Sequence, residues 1–283
     1  MDSTVDLPPL DVPALLRSYG LQPKKSLGQN FLVDSAALAR VAAVAEITPE
    51  DAILEIGAGL GSLTRVLARS ARRVVAVELD GRLFPVLRSV LAGLSNVELV
   101  QGDILEIDPA KLALGPAYLV VANIPYYITS ALVRHLLEAA AKPSRLVLTV
   151  QREVAERICA QAGEMSLLAL SVQVYGRPLI ATHIPAGAFY PRPKVDSAVV
   201  RVDLYEQPLV PANLLDDFFR LAKAGFAQKR KTLRNSLAAG LAWRTERVDA
   251  WLSAAGIDPR RRAETLSVGE WGALAARLAA ERA

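Results

Sequence analysis

The chain is 283 residues long, more than one core of ordinary size encloses, so a large domain with a smaller appendage is expected. Hydrophobic residues make up 52% and charged residues 22%, which is ample apolar surface for packing and too little charge for a disordered chain. No apolar run approaches the roughly 18 residues of a membrane span, and the opening Met1-Asp2-Ser3-Thr4-Val5-Asp6 lacks a secretory signal pattern, so the expectation is a cytoplasmic globule with no membrane partner.

Residues 1–20 read as a proline-rich, acidic tail leading into a short helix, Leu15 to Tyr19. Short apolar runs then alternate with helical patterns: Ala52 to Ile56, Arg73 to Glu78, Val97 to Val100, Tyr118 to Ala122 and Arg145 to Val150. These predict buried parallel strands. Helices are expected between them, at Leu63 to Ser70 and Arg82 to Leu91. Together they give the βαβ rhythm of an α/β doubly wound sheet. Two further runs, Leu170 to Tyr175 and Ala198 to Leu204, are expected as an antiparallel edge. Pro208 and Pro211 mark a linker, and the remaining pattern is helical. The expected division is therefore 1–20, a catalytic domain over 21–209 and a small helical domain over 210–283.

Glycines occupy the turn after the first predicted strand, in Gly57-Ala58-Gly59-Leu60-Gly61. There a ligand can approach bare backbone beside a helix N-terminus. A tight strand-to-helix turn alone could produce such a run, but three acids sharpen the reading. Glu55 lies near the end of the same strand. Glu78 ends the second, where a carboxylate accepts from both hydroxyls of a ribose. Asp103 follows the third, where a carboxylate takes the amino group of an adenine ring. A nucleoside cofactor is expected. NAD is the rival, and the GxGxG spacing, in place of GxGxxG, argues against it.

The fourth strand runs into Asn123-Ile124-Pro125-Tyr126-Tyr127. An adenine N6 amine is a poor nucleophile because its lone pair is delocalised into the ring. The Asn123 side-chain oxygen and the Ile124 carbonyl can accept its two hydrogens, Pro125 stiffens the turn without offering a competing donor, and Tyr126 supplies a π face for a flipped base. No strong base is required, because the methylated amine sheds its proton readily. The single cysteine, Cys159, and the two histidines, His135 and His183, lack metal-ligand spacing, so no metal is expected.

These motifs resemble the ribosomal RNA adenine N6-dimethyltransferases, over nearly everything after residue 20. The resemblance implies a Rossmann-like methyltransferase domain using S-adenosylmethionine. Lys25-Ser26-Leu27-Gly28-Gln29-Asn30-Phe31-Leu32 is similar to the family's amino-terminal segment, which implies that Gln29, Asn30 and Leu32 join Gly57, Gly59, Glu78, Asp103 and Asn123 at the cofactor. Ala58 stands where proline is common and Tyr127 where many relatives have asparagine. Phe189-Tyr190-Pro191-Arg192-Pro193-Lys194 resembles a later family loop, implying that Phe189 stacks on the base opposite Tyr126. Phe226 to Leu237 and Arg262 to Ser267 look like the carboxy-terminal domain of the small-subunit branch. That branch implies a monomer that dimethylates two adjacent adenosines in the 3′-terminal hairpin loop of 16S rRNA, in the 30S particle, with a part in subunit biogenesis.

Net charge is only +4, yet from Arg220 onward 13 Lys or Arg stand against 6 Asp or Glu. Lys229, Arg230, Lys231 and Arg234 are the candidates for RNA contact, expected on a helix. The alternatives are a resistance-type enzyme acting on 23S rRNA and a ribosome-assembly factor whose methylation is incidental.

Overall fold

The computed structural model describes residues 8–112 and 114–282, so the first residues of the expected tail lie outside it. The chain forms two compact units. One comprises the chain up to Ala155 with Leu179–Asp203, and the other comprises Glu156–Pro178 with Leu204 onward.

The first unit opens with α1 (Val12–Ser18), started by the Asp11 carboxylate, which accepts from the Ala14 amide at 2.9 Å. The element order continues β1 (Phe31–Leu32), α2 (Ser35–Ala45), β2 (Ala52–Ile56), α3 (Ser62–Leu67), β3 (Arg73–Glu78), α4 (Phe84–Leu91) and β4 (Val97–Gln101). Then come β5 (Leu119–Asn123), α5 (Thr129–Glu138), β6 (Arg145–Gln151) and α6 (Arg152–Ile158). After α7 (Leu167–Gln173) follow β7 (Gly176–Ile184), β8 (Phe189–Tyr190) and β9 (Ser197–Leu204). The main sheet has the order β4-β3-β2-β5-β6-β9-β7. Strands β2 to β6 run parallel to one another, and β9 runs antiparallel to β6. Ile53, Leu54, Val74, Val75, Val120 and Val121 are fully buried, as expected of strands covered on both faces.

The run Leu170 to Tyr175 was expected as a strand, and most of it is helical, in α7. The Ser166 hydroxyl caps that helix by accepting from the Ala169 amide at 3.1 Å. A short apolar run has no periodicity to separate a buried strand from a buried helix turn, and here the cap decides. The edge strand is β7, whose interior residues alternate between exposed and half-buried and include Pro178, a residue that edge strands tolerate.

The second unit contains α8 (Leu215–Phe226), α9 (Leu233–Leu241), α10 (Thr245–Ser253) and α11 (Val268–Ala280) around Trp271, Phe218, Leu221 and Leu252. Helix α9 approaches α8 closely because Gly240 has no side chain: a Cβ there would lie 2.5 Å from Ala224 Cβ. Ser267 and Glu270 form a reciprocal capping box on α11. This unit starts at Leu204, before the expected proline linker, and takes in Glu156–Pro178. That earlier segment is tied in by the Gly163 and Met165 amides, which donate to the Glu264 carbonyl, and by the Leu209 amide, which donates to Val174. Among the described residues no helix is long and apolar enough to cross a membrane, and no cluster of His, Cys, Asp and Glu is arranged to hold a metal ion.

Candidate active site

Four neighbouring strands, β4-β3-β2-β5, deliver their carboxyl ends to one cavity, which is where open α/β sheets bind ligands. Gln29, Asn30, Gly57, Gly59, Glu78, Asp103, Asn123, Ile124, Pro125 and Tyr126 all line it, so the structure brings nearly every expected residue together. Gly57 and Gly59 adopt φ of +77° and +61°, a left-handed conformation that glycine takes without strain. A Cβ on Gly59 would lie 2.9 Å from the Phe31 ring, so only glycine keeps this passage open.

Glu78 is buried, with 7% of its surface exposed. Its Oε2 accepts from the Gly59 amide and its Oε1 from the Asp80 amide, each at 2.8 Å. Burial raises its pKa, and those amides oppose the rise. Each oxygen retains a second acceptor site, as a ribose diol requires. Asp103 Oδ1 accepts from the Leu105 amide at 2.9 Å, and its Oδ2 makes no hydrogen bond among the described residues. The bare glycine passage, the half-committed buried carboxylate and this second carboxylate fit a nucleoside cofactor. Glu55, although on the same strand as the glycine turn, does not line the cavity. It is 1% exposed, and burial pushes its carboxyl up to about 8, with the nearby Glu78 carboxylate adding to the rise.

Asn123 ends β5 with its orientation fixed. Its Nδ2 donates to the Asn30 carbonyl at 3.0 Å, which leaves Oδ1 as the free acceptor. The Ile124 amide is engaged with the Thr149 carbonyl at 3.3 Å. The Tyr126 hydroxyl and the buried Ser197 hydroxyl share a hydrogen bond of 2.7 Å, and burial raises the phenol's pKa. That bond holds the Tyr126 ring in place at the cavity wall. Tyr127 stands 61% exposed on the same wall.

Leu32 and Phe189 are placed differently from expectation. In the two-stranded ribbon of β1 and β8, Leu32 lies opposite Phe189 and Phe31 opposite Tyr190. Opposed residues share a face, and successive residues alternate. Leu32 and Phe189, each 4% exposed, face the core. Phe31 lines the cavity, while Tyr190, 39% exposed, lines an adjoining cleft. Phe189 therefore presents no free ring face for a base.

Asp80, two residues beyond the end of β3, is a latch that sequence reasoning missed. Its buried carboxylate accepts from Gln29 Nε2 at 3.0 Å, pairs with Arg82 at 2.6 Å and lies 3.6 Å from Lys24 Nζ. Arg82 foremost, and Gln29 with it, hold its carboxyl well below the usual range. Gln29 in turn accepts from the Lys24 amide at 2.7 Å. Asp80 thus fastens the segment whose Asn30 carbonyl orients Asn123. The contact spans 51 positions, and nothing in local sequence signals it.

Lys229, Arg230 and Lys231 were expected on a helix and occupy the turn between α8 and α9. The Lys231 amide donates back to the Gln228 carbonyl at 3.0 Å, which takes the segment out of helical register. All three cations are exposed and lie outside any helix turn. None has an ion-pair partner among the described residues. Arg234, on α9, lies 3.4 Å from Asp249.

The model of the ribosomal RNA adenine dimethylase family matches residues 20–280. A ribosomal RNA small subunit methyltransferase A of Dehalococcoides mccartyi is 46% identical over 258 residues, covering 91% of this chain and 89% of that protein. The enzyme of that name from Moorella thermoacetica is 44% identical over 276 residues, covering 94% and 96%. The crystal structure of the 23S rRNA methyltransferase ErmE is similar at a TM-score of 0.71 and 32% identity, over 88% of this chain and 100% of that one. A dimethyladenosine transferase from Plasmodium falciparum shares the fold at a TM-score of 0.71 and 24% identity, over 85% and 94%. With this site at the carboxyl ends of its sheet, the chain belongs to the ribosomal RNA adenine dimethylase family, methyltransferases of the S-adenosylmethionine-dependent type.

Proposed function

We propose that this protein dimethylates the N6 amines of two adjacent adenosines in the 3′-terminal hairpin loop of 16S rRNA, in the 30S particle, and so takes part in small-subunit biogenesis. The observation that carries the chemistry is the Asn123 hydrogen bond to Asn30, which turns Oδ1 free. Bound S-adenosylmethionine supplies an electrophilic methyl group. Glu78 holds its ribose hydroxyls, Asp103 its adenine amine, and Gln29 and Asn30 its methionine end. Asn123 Oδ1 and the Ile124 carbonyl accept the two N6 hydrogens, drawing the nitrogen toward sp³ geometry and localising its lone pair. The Tyr126 ring, held by Ser197, supports the base. The methylated amine releases its proton to solvent without a dedicated base.

Every residue assigned to the cofactor comes from one chain, so a monomer suffices, acting in the cytoplasm on its ribosomal substrate. Lys229, Arg230 and Lys231 serve RNA phosphates from the second unit, with Arg234 contributing less because Asp249 already neutralises it. The small-subunit assignment follows the 46% identity to enzymes of that name. A second reading, methylation of 23S rRNA, is favoured by the 32% identity to ErmE over the whole of that chain. Mass spectrometry of RNA after incubating unmethylated 30S particles, and separately 50S particles, with labelled cofactor decides between them. Dimethyladenosine in 16S RNA is expected. Label confined to 23S RNA would overturn the small-subunit assignment, and no label in either would overturn the enzyme reading.

A further inference from the structure

The cofactor cavity opens into a broad cleft on the catalytic unit, and the two share Gly28, Gln29, Asn30 and Tyr126. The ionisable side chains lining this cleft, apart from its tyrosines, are Arg17, Lys25, Arg192 and Lys194, with no carboxylate among them. All four are exposed, and none has an ion-pair partner among the described residues. Cations held together without acids are mutually repulsive until a polyanion arrives. Tyr190 lines the same cleft as Tyr126 and Arg192 and is exposed because β8 turns Phe189 inward. Pro191 and Pro193 flank Arg192 and restrict the backbone of this loop.

An exposed aromatic ring beside unpaired cations is the arrangement that holds single-stranded nucleic acid, by stacking and phosphate contact together. We infer that this cleft is a single-stranded RNA track on the catalytic unit, in which Tyr190 stacks on a nucleotide next to the target and Arg17, Lys25, Arg192 and Lys194 follow the flanking phosphates. The inference rests on the reading of the cavity as an adenine methylation site. It adds a subsite for the neighbouring base, separate from the cations of the second unit. A duplex presents no unstacked base to Tyr190, so the cleft favours loops over helices.

The test is fluorescence anisotropy of the full chain with a labelled hairpin RNA whose loop carries adjacent adenosines, over a salt series, with cofactor binding as the folding control. For Arg192→Ala/Lys194→Ala the expected result is weaker RNA binding and a salt slope of log K reduced by about 1.4, roughly 0.7 for each single-strand contact. Tyr190→Ala should weaken binding about fivefold or more, while Tyr190→Phe, which keeps the ring, should bind as the parent does. Affinity and salt slope unchanged in both alanine variants, with cofactor binding intact, would overturn the inference. So would an equal loss in Tyr190→Ala and Tyr190→Phe, which would implicate the hydroxyl rather than the stacking face. These readouts do not depend on turnover. A parent protein that binds the hairpin through this cleft yet methylates neither ribosomal subunit would instead defeat the proposed function and leave the track standing.

Discussion

Around the cofactor cavity the charged side chains are Glu78 and Asp103, whereas the cleft that shares a wall with it is lined by Arg17, Lys25, Arg192 and Lys194. The acids are fixed, Glu78 by two backbone amides and Asp103 by one. The cations are exposed and unfixed. A small cofactor with hydroxyls and an amine is recognised by a few directed acceptors at short range. A polyanion is recognised by charge that can adapt to its path. The segment Gly28–Asn30 belongs to both regions, and Asn123 is held to it through the Asn30 carbonyl.

Substituting Asn123 should have the largest effect on methyl transfer. Asn123→Ala should lower single-turnover methylation at saturating cofactor and RNA by roughly 100-fold or more, with RNA affinity nearly unchanged. Wild-type rates would remove Asn123 from the chemistry. One step toward the cofactor, Glu78→Ala removes a charged acceptor worth about 1.5–3 kcal/mol, and calorimetry should show cofactor affinity reduced tenfold to a hundredfold. RNA affinity falling as much as cofactor affinity would break the division between the two ends.

Asp80→Asn should be milder, because Asn keeps one acceptor for Gln29 while losing the charge that holds Arg82 and Lys24. The expected outcome is a rise of about threefold to tenfold in the cofactor KM with kcat nearly preserved. A fall in kcat alone would place Asp80 in the transfer step instead of in positioning. Smallest for transfer itself is Lys229→Ala/Arg230→Ala/Lys231→Ala, which should leave the saturated rate alone and weaken 30S binding. Its salt slope should fall by about 0.7 to 0.9 for each lost contact. An unchanged slope in filter binding would make that turn structural.

Much of this contrast was legible in the sequence, and its limits are physical. Strands β2, β3, β5 and β6 could be read because burial on both faces makes them continuous apolar runs, and the acids at their ends follow from that placement. Helix α7 could not be told from a strand over six residues, since the Ser166 cap outweighs β-branching there. The inward turn of Phe189 depends on a two-residue strand, too short to show alternation, whose partner lies far back in the chain. Asp80 needed Gln29 to arrive beside it. The basic cleft likewise gathers Arg17 and Lys25 with Arg192 and Lys194, and no window of sequence contains all four.

The buried Glu55 behind the glycine turn ties the fold to proton concentration. Its folded pKa of about 8 stands above its ordinary value of 4.5, so the native state holds a proton that the unfolded chain gives up. Stability from this group is whole below about pH 4.5 and is lost as pH rises through about 8, which amounts to a few kcal/mol at the alkaline end. Between about pH 6 and pH 9 the parent's melting temperature should therefore fall by several degrees more than that of Glu55→Gln, whose amide has no proton to lose. Equal losses would mean that Glu55 is already ionised in the fold. The strand that positions the glycine turn thus makes the fold less stable as the solution turns alkaline, through a carboxyl that does not itself line the cavity.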